Sequence, residues 1–331
     1  MMARDNCPLG YRYGPEVFDR APTFTAHTLY VAGGLYGNVL ALRALLDLRR
    51  REEKERHTPI DLCINGDFNW LNIDRADFAE INESVLNEHA IRGNVETELV
   101  NSPSVGCGCN YPAYVGDDAV ALSNAVFNRL HLVGADHPVL LSRLEALPMS
   151  MTVAMADQRI GILHGDPTSL AGWGFAVESM PPPDEALRHR LGCTPGGGTS
   201  MGQIEEYFRA AQVQVFAATH TGLPFMQDFR VADSQRLVAN NGAAGLPNFH
   251  NTQYGIITRI SLDPAPPINS LYGTSMGKLR CDAIPLEYDC AAFQRRFLAT
   301  WPAGTPGHSL YWDRIRFGPD FARDEAVRLH R

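Results

Sequence analysis

In the N-terminal third of the chain, short apolar runs alternate with longer segments in which leucine and alanine recur every three or four positions. The apolar runs at 28–34 and 60–65 predict strands, whereas 39–50 and 74–89 carry a helical pattern, with Asp74 as an N-cap. Strands that alternate with helices predict a largely parallel sheet. Ligands bind such a sheet beyond the carboxyl ends of its strands, so the polar residues that follow the strands are the first candidates for chemistry.

The middle of the chain predicts two helices and then a hairpin. Residues 118–132 and 137–146 carry helical patterns that would cover one face of the sheet. Residues 149–156 and 159–164 predict two strands joined by a tight turn. The next segment, 168–212, contains runs of three prolines and three glycines, and we predict that it is an insertion or a lid.

The C-terminal part predicts further strands and an extension. Residues 229–240 and 254–262 predict antiparallel strands. Beyond them the chain offers one more predicted strand and one helix at 289–300, which are too few elements to bury a core of their own. We therefore predict one domain over residues 1–269, with residues 270–331 as an extension packed on the same domain.

Composition and charge narrow the functional classes. The 331 residues are 45% hydrophobic and 20% charged, which is ordinary for a globular protein. Asp and Glu outnumber Lys and Arg by 37 to 29, and this excess of negative charge argues against nucleic acid or an anionic membrane as a partner. No signal-peptide pattern and no run of eighteen apolar residues is present, so we predict a cytoplasmic protein. Its seven cysteines are then expected as reduced thiols.

With a short predicted strand before Arg92 and another at 213–218, polar residues collect at five predicted strand ends in a fixed order. The five blocks are Gly34-Leu35-Tyr36-Gly37-Asn38, Gly66-Asp67, Gly93-Asn94-Val95-Glu96, His164-Gly165 and Thr219-His220-Thr221-Gly222-Leu223-Pro224. Each block alone is a weak signal, because a Gly-Asp pair after a strand is usually a turn and a single His is usually structural. Together and in this order they resemble the calcineurin-like metallophosphoesterases, and residues 241–247 echo a further motif of that family.

The resemblance implies a fold and a set of metal ligands. The fold would be a four-layer α/β/β/α sandwich of two mixed sheets. Asp67, Asn94, His164 and His220 match the ligands of one of the family's two metal sites, and Asp67 matches the residue that bridges the two metals. Because all four residues follow predicted strands, we predict that their side chains converge at one edge of one sheet.

Three ligands of the family's other metal site are replaced together. Gly34 and Tyr36 occupy the positions of an Asp and a His in the first block, and Gly222 occupies the position of a His in the fifth. A second cation would keep Asp67 as its one matching ligand, so we predict one metal per chain. Val95 stands where the family places a His that helps to protonate the leaving group.

Five further residues are candidates for lining the pocket: Tyr36, Asn38, Asn69, Glu96 and Gly222. Tyr36 and Asn38 would lie over the vacated metal position, where Tyr36 is expected to fill space. Asn69 follows Asp67 in a loop in which many relatives place a substrate-contacting residue. Glu96 keeps the acidic position of its block, but we favour a structural ion pair with Arg92 as its role.

Cys107 and Cys109 form a separate candidate, because two thiols this close in sequence can bind a soft metal. Their spacing is not Cys-x-x-Cys, and no second Cys or His pair accompanies them. We therefore favour packing of a loop near the site over metal binding.

The predicted ligands supply one carboxylate oxygen, one amide oxygen and two imidazole nitrogens, a set that suits one divalent zinc, manganese, iron or nickel ion. Two functions follow. The first is a mononuclear, metal-dependent phosphoesterase that acts on a small phosphoester. The alternative is a metal-binding scaffold or ligand-binding protein on the same fold without turnover. The sequence identifies neither a catalytic residue nor an oligomeric state.

Overall fold

The structure, a computed structural model, describes residues 9–101, 105–194 and 197–330. The strands are β1 (Phe24–Thr25), β2 (Thr28–Ala32), β3 (Ile60–Ile64), β4 (His89–Ala90), β5 (Ser150–Met155), β6 (Gln158–Leu163), β7 (Val215–Ala218), β8 (Phe225–Val231), β9 (Ser234–Asn240), β10 (Gly255–Ser261), β11 (Tyr272–Met276), β12 (Leu279–Leu286) and β13 (Val327–Arg328).

The α-helices are α1 (Val39–Arg56), α2 (Arg75–Val85), α3 (Asn94–Val100), α4 (Asp117–Ala135), α5 (Pro138–Glu145), α6 (Glu185–Arg190), α7 (Met201–Ala211), α8 (Cys290–Thr300) and α9 (Pro306–Phe317). Asp74 is the N-cap of α2, since its side chain accepts hydrogen bonds from the backbone N–H groups of Ala76 and Asp77. No helix in the described ranges is long and apolar enough to cross a membrane.

The strands form two mixed sheets. One sheet has six strands in the order β11-β12-β10-β2-β3-β4, and the other has seven in the order β1-β5-β6-β7-β9-β8-β13. In the six-stranded sheet β2, β3 and β4 run parallel, while β10 runs antiparallel to both β2 and β12. The prediction of a largely parallel sheet is therefore confirmed for β2, β3 and β4, whereas β10, β11 and β12 of the same sheet run antiparallel to their neighbours.

Strand β2 shows how the sheets and helices are layered. All five of its residues are buried. Successive side chains of a strand point to opposite faces. Leu29 and Val31 pack into the core between the two sheets, and Tyr30 and Ala32 pack into a second core beneath the helices. A strand covered on both faces reads as a continuous apolar run, which is why the sequence pattern located it.

The helices lie outside the two sheets. Leu42 and Leu45 of α1 and Phe78 of α2 share the helix-facing core of the six-stranded sheet. Ile204 and Phe208 of α7 join the core of the seven-stranded sheet. The predicted four-layer sandwich is confirmed. The lid interpretation of residues 168–212 stays a prediction, although α7, which lies within this segment, contributes to the core.

One predicted strand is a hairpin instead. Residues 229–240 contain the end of β8 and all of β9, which pair antiparallel with each other. The turn between them places Ala232 and Asp233 at φ +46° and +61°. The sequence lacks the Asn-Gly or Asp-Gly pair that usually marks such a turn, so the pattern hid it. Residues 254–262, the predicted antiparallel partner of this segment, contain β10, which lies in the six-stranded sheet instead.

The region after residue 270 contains more structure than the sequence predicts. Strands β11 and β12 extend the six-stranded sheet beyond β10, and β13 pairs with β8 in the other sheet. Helix α9 follows a Pro- and Gly-rich stretch, and its apolar residues do not follow a clear helical period. The prediction of one strand and one helix in this region is therefore wrong. Treating 270–331 as an extension of the same domain stays a prediction.

Trp301 connects this C-terminal region to the loop that follows β3. Its side chain is almost fully buried, and its indole Nε1–H donates to the carbonyl of Leu71 at 2.9 Å. The guanidinium of Arg129 lies 5.3 Å from the ring centroid. Loss of this side chain would leave a cavity and would remove one of the two hydrogen bonds that the Leu71 carbonyl accepts, the other coming from the backbone N–H of Ile73 at 3.0 Å.

We expect Trp301→Ala to lower the free energy of unfolding by about 3–5 kcal/mol, measured by urea denaturation. Trp312→Ala is the matched control, since Trp312 is partly exposed and stacks on Phe297. It should cost about 1 kcal/mol. Equal losses in the two variants would contradict the anchoring role of Trp301.

Candidate metal centre

The four predicted metal ligands come together at the ends of strands from both sheets. Asp67 and Asn94 follow β3 and β4 of the six-stranded sheet, and His164 and His220 follow β6 and β7 of the seven-stranded sheet. The expectation of a single sheet edge is wrong. The layered packing instead brings the carboxyl ends of two sheets against each other, and the cluster lies between them.

His164 Nε2 lies at the centre of the cluster. It is 3.3 Å from Asp67 Oδ1, 3.1 Å from Asn94 Oδ1 and 3.1 Å from His220 Nδ1. The facing atoms of Asp67, His164 and His220 all lie within 4.8 Å of one another. His164 and Asn94 are fully buried.

Hydrogen bonds outside the cluster decide which atoms face inward. His164 Nδ1 lies 2.8 Å from the carbonyl of Asn65, which assigns the ring proton to Nδ1 and leaves a lone pair on Nε2. Asn94 Nδ2 donates to the carbonyl of Cys107 at 2.8 Å, so its acceptor Oδ1 points at His164. The lone pair of His164 Nε2 therefore meets the acceptor oxygens of Asp67 and Asn94 at short range without a proton between them, and His220 Nδ1 lies beside them. A cation satisfies this donor set, and we conclude that these residues fit a divalent metal.

The charges of the cluster agree with that interpretation. Burial and the neighbouring His164 ring lower the pKa of His220 to about 3, so its ring is neutral. Burial opposes charge on both His164 and Asp67, but their mutual attraction outweighs it. This attraction raises the pKa of His164 and lowers the pKa of Asp67. In the absence of a metal, a proton on His164 would supply the positive charge beside Asp67.

Two glycines allow the loops of the cluster to meet. Gly66 has φ +100°, and a Cβ there would lie 2.6 Å from both His164 Nδ1 and the backbone nitrogen of Gly93. A Cβ on Gly93 would lie 2.8 Å from His164 Cε1. Real Cβ atoms do not approach other atoms this closely, so a larger residue at either position would push the ligand loops apart.

Glu96 joins the loop of Asp67 to the first turn of α3. One carboxylate oxygen accepts from the backbone N–H groups of Asp67 at 2.8 Å and Gly93 at 3.0 Å, and the other accepts from that of Asn69 at 3.1 Å. The predicted ion pair with Arg92 is wrong, because Glu96 is buried between the two loops. Burial and the nearby Asp67 raise the pKa of Glu96 to about 7.

Asn65 is a supporting residue that the sequence analysis missed. It follows β3, and its Nδ2 donates to the carbonyl of Leu163 at 3.1 Å and lies 3.5 Å from that of Ala217. Its own carbonyl orients His164. Asn65 thus ties the end of one sheet to two strand ends of the other. Its position directly before Gly66 and Asp67 is the feature of the sequence that could have identified it as part of the site.

Tyr36 lies against Gly34 and Gly222. A Cβ on Gly34 would lie 2.8 Å from Tyr36 Cε2, and one on Gly222 would lie 3.6 Å from the Tyr36 hydroxyl. Burial raises the pKa of Tyr36 to about 12, so the phenol is neutral at neutral pH. Tyr36 therefore lies between Gly34 and Gly222, and its role of filling a vacated metal position stays a prediction.

Asn38, Asn69 and Glu96 are not among the residues that line the pocket beside Asp67 and His220, which corrects the predicted list. Asn38 is the N-cap of α1, and its Nδ2 donates to the carbonyl of Gly245 at 2.9 Å. Asn69 exchanges two side-chain hydrogen bonds with Asn82 of α2. Both side chains are fully buried, because each satisfies a loop or helix end that packs in the interior.

Cys107 and Cys109 form a disulfide, which differs from the expected reduced thiols. The tight turn at Gly108, with φ +65°, brings the two residues together. The carbonyl of Cys107 orients Asn94, and that of Cys109 accepts from Trp173 Nε1 at 3.0 Å. The pair thus packs the loop beside the cluster.

A pocket with a cavity volume of about 130 Å³ opens beside Asp67 and His220. Five aromatic side chains line it: Tyr36, Trp70, Tyr111, Trp173 and Tyr311. Val95, Gly222 and Arg314 complete part of the wall. Tyr311 and Arg314 belong to α9, and the sequence analysis missed them because no helix is predicted there.

Solved structures share this architecture. A metallophosphoesterase from Sphaerobacter thermophilus is 16% identical, with a TM-score of 0.50, and the match covers 88% of this chain and 100% of that chain. A hypothetical protein from Pyrococcus horikoshii OT3 is 15% identical, with a TM-score of 0.53, and covers 88% of this chain and 99% of that chain. The chain has the metallophosphoesterase fold. The resemblance indicated by the five sequence blocks is therefore confirmed in the fold. No protein-family model and no curated protein matches the chain.

We expect Glu96→Gln to weaken metal binding roughly 10- to 100-fold, because the amide would turn an N–H group toward the backbone donors of the Asp67 loop. Titration calorimetry with manganese measures the effect. Glu80→Gln is the control, since Glu80 pairs with Arg43 at the surface. Equal affinities in wild type and Glu96→Gln would show that the loop holds Asp67 without this carboxylate.

Proposed function

We propose that the protein is a metal-dependent phosphoesterase with a mononuclear centre, and that its substrate is a small phosphoester. The observation that supports this most directly is the convergence of side-chain atoms of Asp67, Asn94 and His220 on His164 Nε2 at 3.1–3.3 Å. The replacement of three ligands by Gly34, Tyr36 and Gly222 supports a single metal.

Asp67, Asn94, His164 and His220 would hold one divalent zinc, manganese, iron or nickel ion. Such an ion, when bound, supplies a Lewis acid for a phosphoryl oxygen and lowers the pKa of water. The chain itself supplies the orientation. Asn65 and the Cys107 carbonyl fix His164 and Asn94, and Glu96 fixes the backbone that carries Asp67.

The pocket supports a small substrate. Its volume of about 130 Å³ is below the roughly 300–1,000 Å³ of most ligand pockets. Aromatic walls lower the effective dielectric constant of this space, which strengthens electrostatic contacts to a bound anion.

The pocket also limits which esters can react. Among its described lining residues, the carboxylate and imidazole groups are those of Asp67 and His220, both assigned to the metal. Val95 cannot donate a proton, and Tyr36, with its pKa raised to about 12, is a weak acid. A substrate whose leaving group departs without a proton is therefore favoured.

The same lack of a proton donor favours a second candidate function. In it, the metal and the pocket bind a small anion without hydrolysing it. A direct assay of hydrolysis separates the two functions, because the binding protein would hold metal and anion yet release no product.

We expect one tightly bound metal per chain by equilibrium dialysis and elemental analysis. His164→Ala should abolish binding because it removes the central ligand, and Tyr36→Phe should retain one metal because it removes a hydroxyl that serves as no ligand. Hydrolysis of p-nitrophenyl phosphate should disappear with a chelator and return with the metal. Two tightly held metals per chain would overturn the mononuclear proposal.

We also expect the rate to depend steeply on the leaving group. Without a general acid, p-nitrophenyl phosphate should react roughly 10²–10⁴-fold faster than an alkyl phosphate of similar size, in kcat/KM. Comparable rates for the two esters would mean that a proton donor exists in the pocket.

A further inference from the structure

Arg314 of α9 occupies the space beside Gly222. Its Nη2 donates to the carbonyl of Gly222 at 2.7 Å, and its Nε donates to that of Pro247 at 3.2 Å. A Cβ on Gly222 would lie 3.2 Å from Nη1. The guanidinium therefore lies in contact with the position that the Cβ of a larger residue at 222 would occupy. It lines the same pocket as Asp67 and His220.

The two hydrogen bonds position Arg314 but do not neutralise it. Both acceptors are uncharged backbone carbonyls, and in the described part of the chain no hydrogen bond joins this guanidinium to a carboxylate. A guanidinium has five N–H donors, so these two bonds leave three for a ligand. The side chain is partly buried, so water screens its charge less than at an open surface.

Nearby aromatic groups keep this end of the pocket free of competing negative charge. The Tyr36 hydroxyl lies 3.6 Å from the same Cβ position on Gly222, and burial raises its pKa to about 12. Tyr311, one helical turn before Arg314, accepts from Trp70 Nε1 at 2.7 Å, and burial raises the pKa of its hydroxyl as well. Both phenols are therefore neutral beside the guanidinium.

We propose that Arg314 is an anion-binding residue of the pocket, which binds a phosphoryl oxygen of the substrate opposite the metal ligands. This proposal rests on the proposed function, and it extends it to a class of substrate, phosphoesters with at least one free anionic oxygen. A guanidinium fork matches the geometry of phosphate oxygens, and its positive charge takes the place of a second cation.

The test measures binding of inorganic phosphate to manganese-loaded protein by titration calorimetry, without turnover. We expect Arg314→Gln to raise the Kd for phosphate roughly 10- to 100-fold, and Arg314→Lys to raise it less because the charge remains. Arg316→Met is the matched control from the same helix. Arg316 is exposed and lies over the ring of Phe317, and its removal should leave the Kd unchanged.

Arg314 also supports the backbone of Gly222 and Pro247, so each variant is checked for one bound manganese per chain and for its melting temperature. A second measurement uses folded wild type. In protein labelled with ¹⁵N-arginine, the Nε–H signal of Arg314 is identified as the one that is absent from the spectrum of Arg314→Lys. Phosphate should shift this signal in the spectrum of the wild type. Phosphate binding without that shift would overturn the proposal.

The outcomes separate this proposal from the proposed function. An equal Kd for phosphate in wild type and a folded, metal-loaded Arg314→Gln overturns the role of Arg314 and leaves phosphoesterase activity to its own assay. A raised Kd in a protein that hydrolyses no phosphoester supports the anion site and overturns the hydrolase. A wild type that binds no phosphate also overturns the anion site.

Discussion

The crowding of polar atoms around His164 Nε2 is the constraint on which the rest of the site depends. Asp67 and Asn94 each turn an acceptor oxygen toward this nitrogen, and His220 Nδ1 lies 3.1 Å from it. Such an arrangement persists only if the surrounding structure holds each group and a metal ion or a proton on His164 compensates the negative charge of Asp67. The orienting hydrogen bonds come from backbone carbonyls, which cannot rotate away as a side chain can.

To hold the ligands, the loops that contain Gly66 and Gly93 must pack with their backbones in direct contact. Gly66 and Gly93 provide the space, and the buried carboxylate of Glu96 joins the loops through three backbone N–H groups. A buried carboxylate is costly unless hydrogen bonds compensate it. Glu96 is therefore structural, although it stands two residues from a predicted metal ligand.

The other half of the pocket is formed by large side chains. Tyr36 packs against Gly34 and Gly222, which avoids the cost of an empty cavity. Arg314 brings a positive charge to the same place from a distant helix. The two halves differ in kind, since one holds acceptors that suit a metal and the other holds aromatic rings and a guanidinium.

The sequence by itself determined the strand ends that carry Asp67, His164 and His220, because buried strands contain continuous apolar runs and the polar residues after each run can be recognised in the sequence. It also indicated the fold, through the order of five blocks. Only the tertiary structure decided that the ligands come from two sheets, that Asn38 and Asn69 turn into the interior, and that Asn65 ties the sheets together. It also placed Arg314 against Gly222, 92 residues away along the chain. Contacts of this kind depend on how layers pack, and local patterns of apolar and polar residues carry no record of a partner so distant in sequence.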